Sequence, residues 1–273
     1  GSGIAGQGWS INGISKITRI NTRFDIDGFI DGVDFDENDK LALDGRRLIT
    51  KTATYWADGA IYQTEFQSNT KIQQFGTGTS IYFLVSLPDG SKNWYGNFNG
   101  NNATDITSYY IVRSEDTDGN FIVYNYFKPF NESLCLQNIQ FSANLNSNLT
   151  PLNQIDFLYK TSNRTESAYL NGTKIVKKEI LDKIIVSTNT LQFKKYQFTY
   201  DINPEANDKL IKFQEFNSNN EGANPIEFEY KAMTGGVDAS YSNQKWFFLP
   251  EDKINIVGDF NGDNLLDFVA GSK

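Results

Sequence analysis

The chain has 273 residues, with 33 Asp and Glu against 25 Lys and Arg, a net charge of −8 and no histidine. The acidic balance excludes a broad electrostatic grip on nucleic acid or anionic lipid. The missing imidazole removes every Ser-His and Cys-His catalytic scheme and the commonest zinc ligand, while the single Cys135 reads as a small buried hydrophobe.

The N-terminus opens with Gly3, Gly6 and Gly8, followed by Trp9. Their order runs opposite to the dinucleotide fingerprint, and neither a helix nor a P-loop Lys-Ser/Thr pair follows. They read as tight β-turns that let Trp9 pack closely. Residues 25–39 are acidic. Here Asp25, Asp27 and Asp31 have oxygen-ligand character and two glycines allow sharp turning, so this solvated loop is also a second candidate cation site.

Further along, period-two patterns dominate. Ile81/Phe83/Val85, Ile122/Tyr124/Tyr126, Ile155/Phe157/Tyr159, Tyr196/Phe198/Tyr200 and Ile226/Phe228/Tyr230 each put large residues on one strand face. Turn chemistry falls between them, at Pro88-Asp89-Gly90, Asp118-Gly119-Asn120 and Asn171-Gly172. Residues 175–186, rich in Ile and Val, read as strand, and no long amphipathic helix is evident, so the chain is all-β. Strands ending Tyr-x-Tyr or Phe-x-Tyr recur at intervals of about 30 to 40 residues, a loose repeat of stacked hairpins. Trp56, Trp94 and Tyr95 could stack on sugars, although sheet packing is the commoner role. No apolar run reaches membrane-spanning length, so direct membrane insertion is not expected.

Residues 233–245 are Gly/Ser/Asn-rich and read as a linker. Beyond them, residues 259–267 (DFNGDNLLD) place oxygen side chains at Asp259, Asn261, Asp263 and Asp267, with a carbonyl available at Leu265. That spacing suits a hard cation such as Ca²⁺ in a loop joining two short strands, though an Asn/Asp-rich turn without metal also fits. The loop lacks the last-position Glu and flanking helices of an EF-hand. It resembles instead the calcium loop of FG-GAP repeats, which build β-propeller blades. The chain stops just after this unit, and more protein is expected to follow it.

The stretch from Gly3 through Gly6, Gly8 and Trp9 to Arg19 resembles the opening signature of SpvB-like domains, found in the Salmonella virulence plasmid B protein and in the B component of insecticidal Tc toxins. Residues 39–48, with Gly45, resemble that family's next segment, with Leu41 where Phe is usual. Residues 109–126, with Gly119 and Asn120, resemble its strand pair related to YD/Rhs repeats, with Tyr for Trp. FG-GAP repeats commonly follow such domains. The resemblance implies a curved antiparallel β-shell segment of the YD/Rhs kind over residues 1–232, the linker 233–245, and a partial propeller blade over 246–273, with further strands expected upstream. It implies a non-enzymatic role in a secreted or cell-surface bacterial protein. The partners would be the remainder of its own polypeptide and a pore-forming or C-terminal toxin component, with no nucleic acid.

Two other classes compete with this expectation. One is a surface adhesin or carbohydrate-binding module. The other is ADP-ribosyltransfer, an activity of the Salmonella relative, for which Arg164, Ser187-Thr188 and Glu227-x-Glu229 fall in the required order. Residue 189 is Asn where that motif has Ser, and the two glutamates are already explained by strand alternation.

Overall fold

The computed structural model describes residues 2–51, 54–66, 68–128, 133–201, 208–230, 253–258 and 267–271. The chain divides into two compact units, Gly1–Phe228 and Glu229–Lys273.

The first unit begins with a small hairpin, β1 (Ser2–Gly3) and β2 (Gly6–Gln7), followed by β3 (Lys16–Ile20) and a single helical turn, α1 (Phe24–Asp27). Next come β4 (Lys40–Leu43), β5 (Arg46–Thr50), β6 (Ile61–Thr64), β7 (Lys71–Phe75), β8 (Tyr82–Ser86), β9 (Lys92–Phe98), β10 (Asn101–Asn102) and β11 (Ser108–Glu115). Strands β3 to β9 pair in chain order, and β11 pairs with both β3 and β9. Eight antiparallel strands therefore close on themselves as a barrel. A barrel of this size is filled by side chains, and the residues inside are Ile17, Leu41, Leu48, Tyr62, Ile72, Phe83, Val85 and Tyr95. The alternation read at Ile81/Phe83/Val85 is the inward face of β8 and the residue before it, with Tyr82 and Leu84 partly exposed between.

β11 is the branch point. Ser108–Tyr110 pair with β3, but beyond a register shift between Ile111 and Arg113 the same edge passes to β12 (Asn120–Phe127). From there an open antiparallel meander continues through β13 (Cys135–Asn144), β14 (Asn153–Leu170), β15 (Thr173–Thr188), β16 (Leu191–Asp201), β17 (Lys209–Phe216) and β18 (Ile226–Glu227). Its core takes part of the other faces named by the pattern, without Ile122 and Tyr196. Tyr124, Tyr126, Ile155, Phe157, Tyr159 and Phe198 gather with Leu136 and Leu181, and Tyr200 packs with Ile180 and Leu210. Cys135 is buried, as a small hydrophobe would be.

The turns follow their residues. Asp44-Gly45, Asn99-Gly100 and Asn171-Gly172 each join strands in two residues, both with positive φ, the type I′ geometry that matches strand twist. Asn171-Gly172 caps a hairpin much longer than the pattern suggested, because ESAYL belongs to the same strand as QIDFLYK, with a break in register between Thr161 and Glu166. The segment 226–230 differs from expectation. Ile226 and Glu227 pair with Phe213 and Lys212, Phe228 N adds a bond to Ile211 O at 3.0 Å, and Ile226 is exposed, this short strand being the last of the sheet among the described residues.

In the second unit, β19 (Lys253–Gly258) and β20 (Asp267–Gly271) form an antiparallel hairpin in which Gly258 pairs with Asp267. The two strands expected on either side of the acidic loop are therefore present. Residues 259–266, and with them Asp259, Asn261, Asp263 and Leu265, lie outside the described residues, as does the linker 233–245.

Candidate functional site

The signature residues form three structural devices. The first covers a sheet edge. β16 pairs with β15 only from Lys183 to Thr188, so the earlier part of β15 would present bare backbone. The N-terminal segment occupies that edge: Leu181 N donates to Ile4 O at 2.9 Å, Lys177 Nζ to Gly3 O at 2.7 Å, and Gln7 N to Asp208 O at 2.8 Å. Gly6 sits in this approach at φ +95°, where a Cβ would lie 2.6 Å from the Asp208 carbonyl oxygen. Gly8 also has a positive φ but faces open space. Trp9 packs on Phe228 with ring centres 4.9 Å apart, and Ile11 and Ile14 join the core of the meander. Gly3 and Gly6 thus let backbone lie directly on backbone, a role beyond the tight turns expected, while Trp9, packed on Phe228, stays 38% exposed.

The second device joins β3 to its neighbours. Arg19 Nη1 donates to Asp39 Oδ2 at 2.7 Å, and its guanidinium lies 4.1 Å from the centre of the Trp56 ring. Trp56 Nε1 donates to the Asp39 carbonyl at 2.8 Å, and the Asp39 carboxylate also accepts the Asp34 and Phe35 amides. Asp39 is buried, and its charge is held by three donors, the Arg19 guanidinium and the Asp34 and Phe35 amides. The Asp44-Gly45 turn contributes alongside, its carboxylate accepting Ser15 Oγ at 2.7 Å and Lys16 N at 2.9 Å.

The third device is the β11–β12 turn. Gly119 has φ +81°, and Asp116 accepts the Asp118 and Asn120 amides and Asn120 Nδ2. These bonds, with Asn120 first, hold the Asp116 carboxyl below the usual carboxylate range. Asn144 Nδ2 reaches Asn120 Oδ1 at 2.9 Å, tying this turn to the end of β13.

A fourth device was not read from the sequence. The Tyr that ends each repeated strand donates its hydroxyl to a carbonyl of the strand before it. Tyr126 bonds Ile111 O at 2.9 Å, Tyr159 bonds Leu136 O at 2.8 Å, and Tyr200 bonds Leu181 O at 2.6 Å. The signal was the constancy of Tyr at the final position, where Phe would have served packing alone. Tyr230, the last in the series, is 42% exposed.

The carboxylates read as a second cation site are dispersed. Asp25 pairs with Arg23 at 2.5 Å, and Asp27 pairs with Arg47. Asp31 is grouped instead with Asp34 and Asp36, their oxygens within 4.8 Å of one another. The sugar-stacking candidates are engaged internally: Tyr95 is buried in the barrel, Trp56 lies beneath Arg19, and Trp94 stacks on Phe98 at 5.3 Å. For ADP-ribosyltransfer, Ser187 pairs with Gln154 on β14, ten residues from Arg164 along the same strand, which corresponds to roughly 30 Å. Glu227 is on the edge strand β18, and Glu229 belongs to the second unit. A cleft of about 560 Å³ lies over β12–β15 between Phe127, Tyr159 and Glu179. No helix among the described residues is long and apolar enough to cross a membrane.

No protein-family profile matches the sequence, and no curated protein matches it. Solved structures do. The crystal structure of TcdB2-TccC3-Cdc42 superposes with a TM-score of 0.65 at 14% identity, covering 85% of this chain and 15% of that one. The N-terminal domain of the effector SpvB from Salmonella typhimurium strain LT2 superposes at 0.62 and 15% identity, covering 80% of this chain and 90% of that one. The fold is the SpvB/Tc-type β-shell fold. The Photorhabdus luminescens Tc holotoxin pore contains it too, with a TM-score of 0.65 at 13% identity, over 84% of this chain and 14% of that one. The chain thus spans only about 15% of the length of the Tc chain in the TcdB2-TccC3-Cdc42 structure. At this identity the SpvB/Tc-type likeness is one of fold.

Proposed function

We propose that this chain is a non-enzymatic wall segment of a large secreted, toxin-like protein, its open meander forming one stretch of a β-shell that encloses or presents a C-terminal payload. The observation that carries this reading is the branch at β11, where a closed, side-chain-filled barrel anchors one end of a sheet whose other end, among the described residues, is the briefly paired strand β18. A barrel alone would be a finished module. A barrel that feeds an open sheet is built to be continued, since an edge left bare invites non-native pairing. The partners are then the rest of its own polypeptide and a toxin component. Ca²⁺ bound by Asp259, Asn261, Asp263, Asp267 and the Leu265 carbonyl would fix the β19–β20 connection, whose strands bring the two ends of the loop together at Gly258 and Asp267.

Electron cryo-microscopy of the natural full-length polypeptide tests the reading. Density for β12–β18 within the wall of a closed hollow body is expected. An isolated module on a stalk, with no enclosed volume beside it, would reject the shell role. NAD hydrolysis that disappears in Glu229→Gln would reject the non-enzymatic part separately.

A further inference from the structure

The connection between β3 and β4 folds across the outer wall of the barrel. Arg47, next in sequence to the core residue Leu48, is buried, and Asn21 O and the Asp27 carboxylate hold its guanidinium. Arg23, in the same connection, reaches Glu65 at 3.4 Å, which brings the β6–β7 turn alongside. On these two adjoining loops Phe24, Ile30 and Phe66 are 69%, 81% and 80% exposed, and Ile26 and Phe29 are partly exposed near them in the chain. Three large apolar side chains held out by ion-paired loops is a costly arrangement for a surface that stays wet.

The surroundings define what could cover them. Residues 23–40 contain seven acidic residues (Asp25, Asp27, Asp31, Asp34, Asp36, Glu37 and Asp39) against Arg23 and Lys40. Asp25, Asp27 and Asp39 are paired with arginines, but among the described residues Asp31, Asp34, Asp36 and Glu37 make no ion pair. Asp31, Asp34 and Asp36 crowd one another, and the Asp34 carboxyl is raised above its ordinary value, first by partial burial and then by the like charges of Asp36 and Asp31. An arriving cation would relieve that repulsion.

We propose that this patch is the docking surface for a protein partner that presents a basic amphipathic segment, its apolar side chains covering Phe24, Ile30 and Phe66 and its Lys or Arg residues meeting Asp31, Asp34, Asp36 and Glu37. Charge complementarity selects this occupant over the others. A second copy brings the same acidic face and a net charge of −8. Residues 229–273 carry seven acidic residues against four basic ones, so this chain's own second unit is also of the wrong sign. An anionic bilayer is repelled in the same way.

The test uses the full chain with a fluorescein-labelled amphipathic Leu/Lys peptide and its Leu/Glu counterpart, read by fluorescence anisotropy. The Leu/Lys peptide should bind and the Leu/Glu peptide should not. Affinity should fall at least about tenfold in Phe24→Ser/Ile30→Ser/Phe66→Ser, and fall likewise in Asp31→Asn/Asp34→Asn/Asp36→Asn. It should be unchanged in Leu145→Ser/Leu149→Ser/Leu191→Ser, which alters exposed apolar residues elsewhere. Equal binding by all variants would show unspecific charge attraction and overturn the proposal. So would self-association or sedimentation with phosphatidylcholine vesicles that is lost with Phe24, Ile30 and Phe66, assigning the patch to a second copy or a membrane. Should the apolar variant fail to fold, the Asp→Asn variant still decides.

Discussion

Tyr159 donates its hydroxyl to the Leu136 carbonyl at 2.8 Å, from β14 to the strand before it. Tyr126 and Tyr200 make the same bond from β12 and β16. The hydroxyl satisfies a carbonyl in a region where both groups are poorly hydrated, so its removal leaves an acceptor without a partner. Tyr159→Phe, Tyr126→Phe and Tyr200→Phe should each lower stability by about 1–3 kcal/mol in urea unfolding. Tyr169→Phe, at an exposed tyrosine outside the series, should change it by less than about 0.5 kcal/mol. Equal effects at all four positions would show that the hydroxyl bond is not the stabilising element.

Asp39 is buried with Arg19 as its cationic partner. Removing one member of such a pair strands the other, which costs about 3–5 kcal/mol. Asp39→Asn keeps the shape and loses the charge, and should destabilise by that amount. Arg19→Lys keeps the charge but loses the planar contact with the Trp56 ring, so it should cost less than Asp39→Asn. Chemical denaturation of the two variants side by side checks the order.

Gly6 and Gly8 share a positive φ and differ only in their surroundings. Gly8→Ala meets open space, so the expected cost is about 1 kcal/mol of backbone strain. Gly6→Ala adds a Cβ 2.6 Å from the Asp208 carbonyl oxygen and 3.2 Å from the Tyr200 ring, and the N-terminal segment must lift from the sheet edge. A clearly larger loss of thermal stability, with faster amide exchange at Leu181, is expected for Gly6→Ala alone.

Local patterns in the sequence determine most of the strands. Phe83 and Val85 face inward where alternation placed them, and Asn171-Gly172 turns where its φ preferences require. Barrel closure was not legible, because it depends on Ser108–Tyr110 of β11 pairing with Lys16–Thr18 of β3, segments roughly 90 residues apart with no local signature. The pairing of Arg19 with Asp39 was hidden for a related reason. Each residue stood in a recognisable segment, but nothing in a spacing of twenty residues indicates a contact. Residues 226–230 carry a strand pattern that only half pairs, since a pattern specifies which face is apolar and says nothing about whether a neighbour exists to cover it.

Burial raises the Tyr62 and Tyr95 hydroxyls to about 12, and those of Tyr126, Tyr159 and Tyr200 are raised as well. In the unfolded chain they titrate near about 10. Between pH of about 10 and about 12 the unfolded state therefore sheds protons that the folded state keeps, and stability falls as pH rises. Below that window these tyrosines contribute no pH dependence. Melting temperature should decline steeply above pH of about 10, and Tyr95→Phe should flatten that decline by removing one titrating group. A profile level through this window would mean that the phenols are solvated in the folded state.

The proposed calcium loop makes a separate, sharper demand. If Asp259, Asn261, Asp263 and Asp267 hold Ca²⁺, the ion binds the folded hairpin and not the unfolded chain, and at a hundredfold excess over Kd it adds about 2.7 kcal/mol to that unit. The second unit should then melt at a higher temperature with Ca²⁺ than with chelator, while the unfolding of residues 1–228 is unaffected. Asp263→Ala removes a carboxylate from the middle of the ligand set and should abolish the difference. Asn264→Ala, beside it but outside the set, should preserve it. Identical melting of the natural chain with Ca²⁺ and with chelator would reduce the loop to an Asn/Asp turn, whose carboxylates would then repel one another without compensation in the folded hairpin.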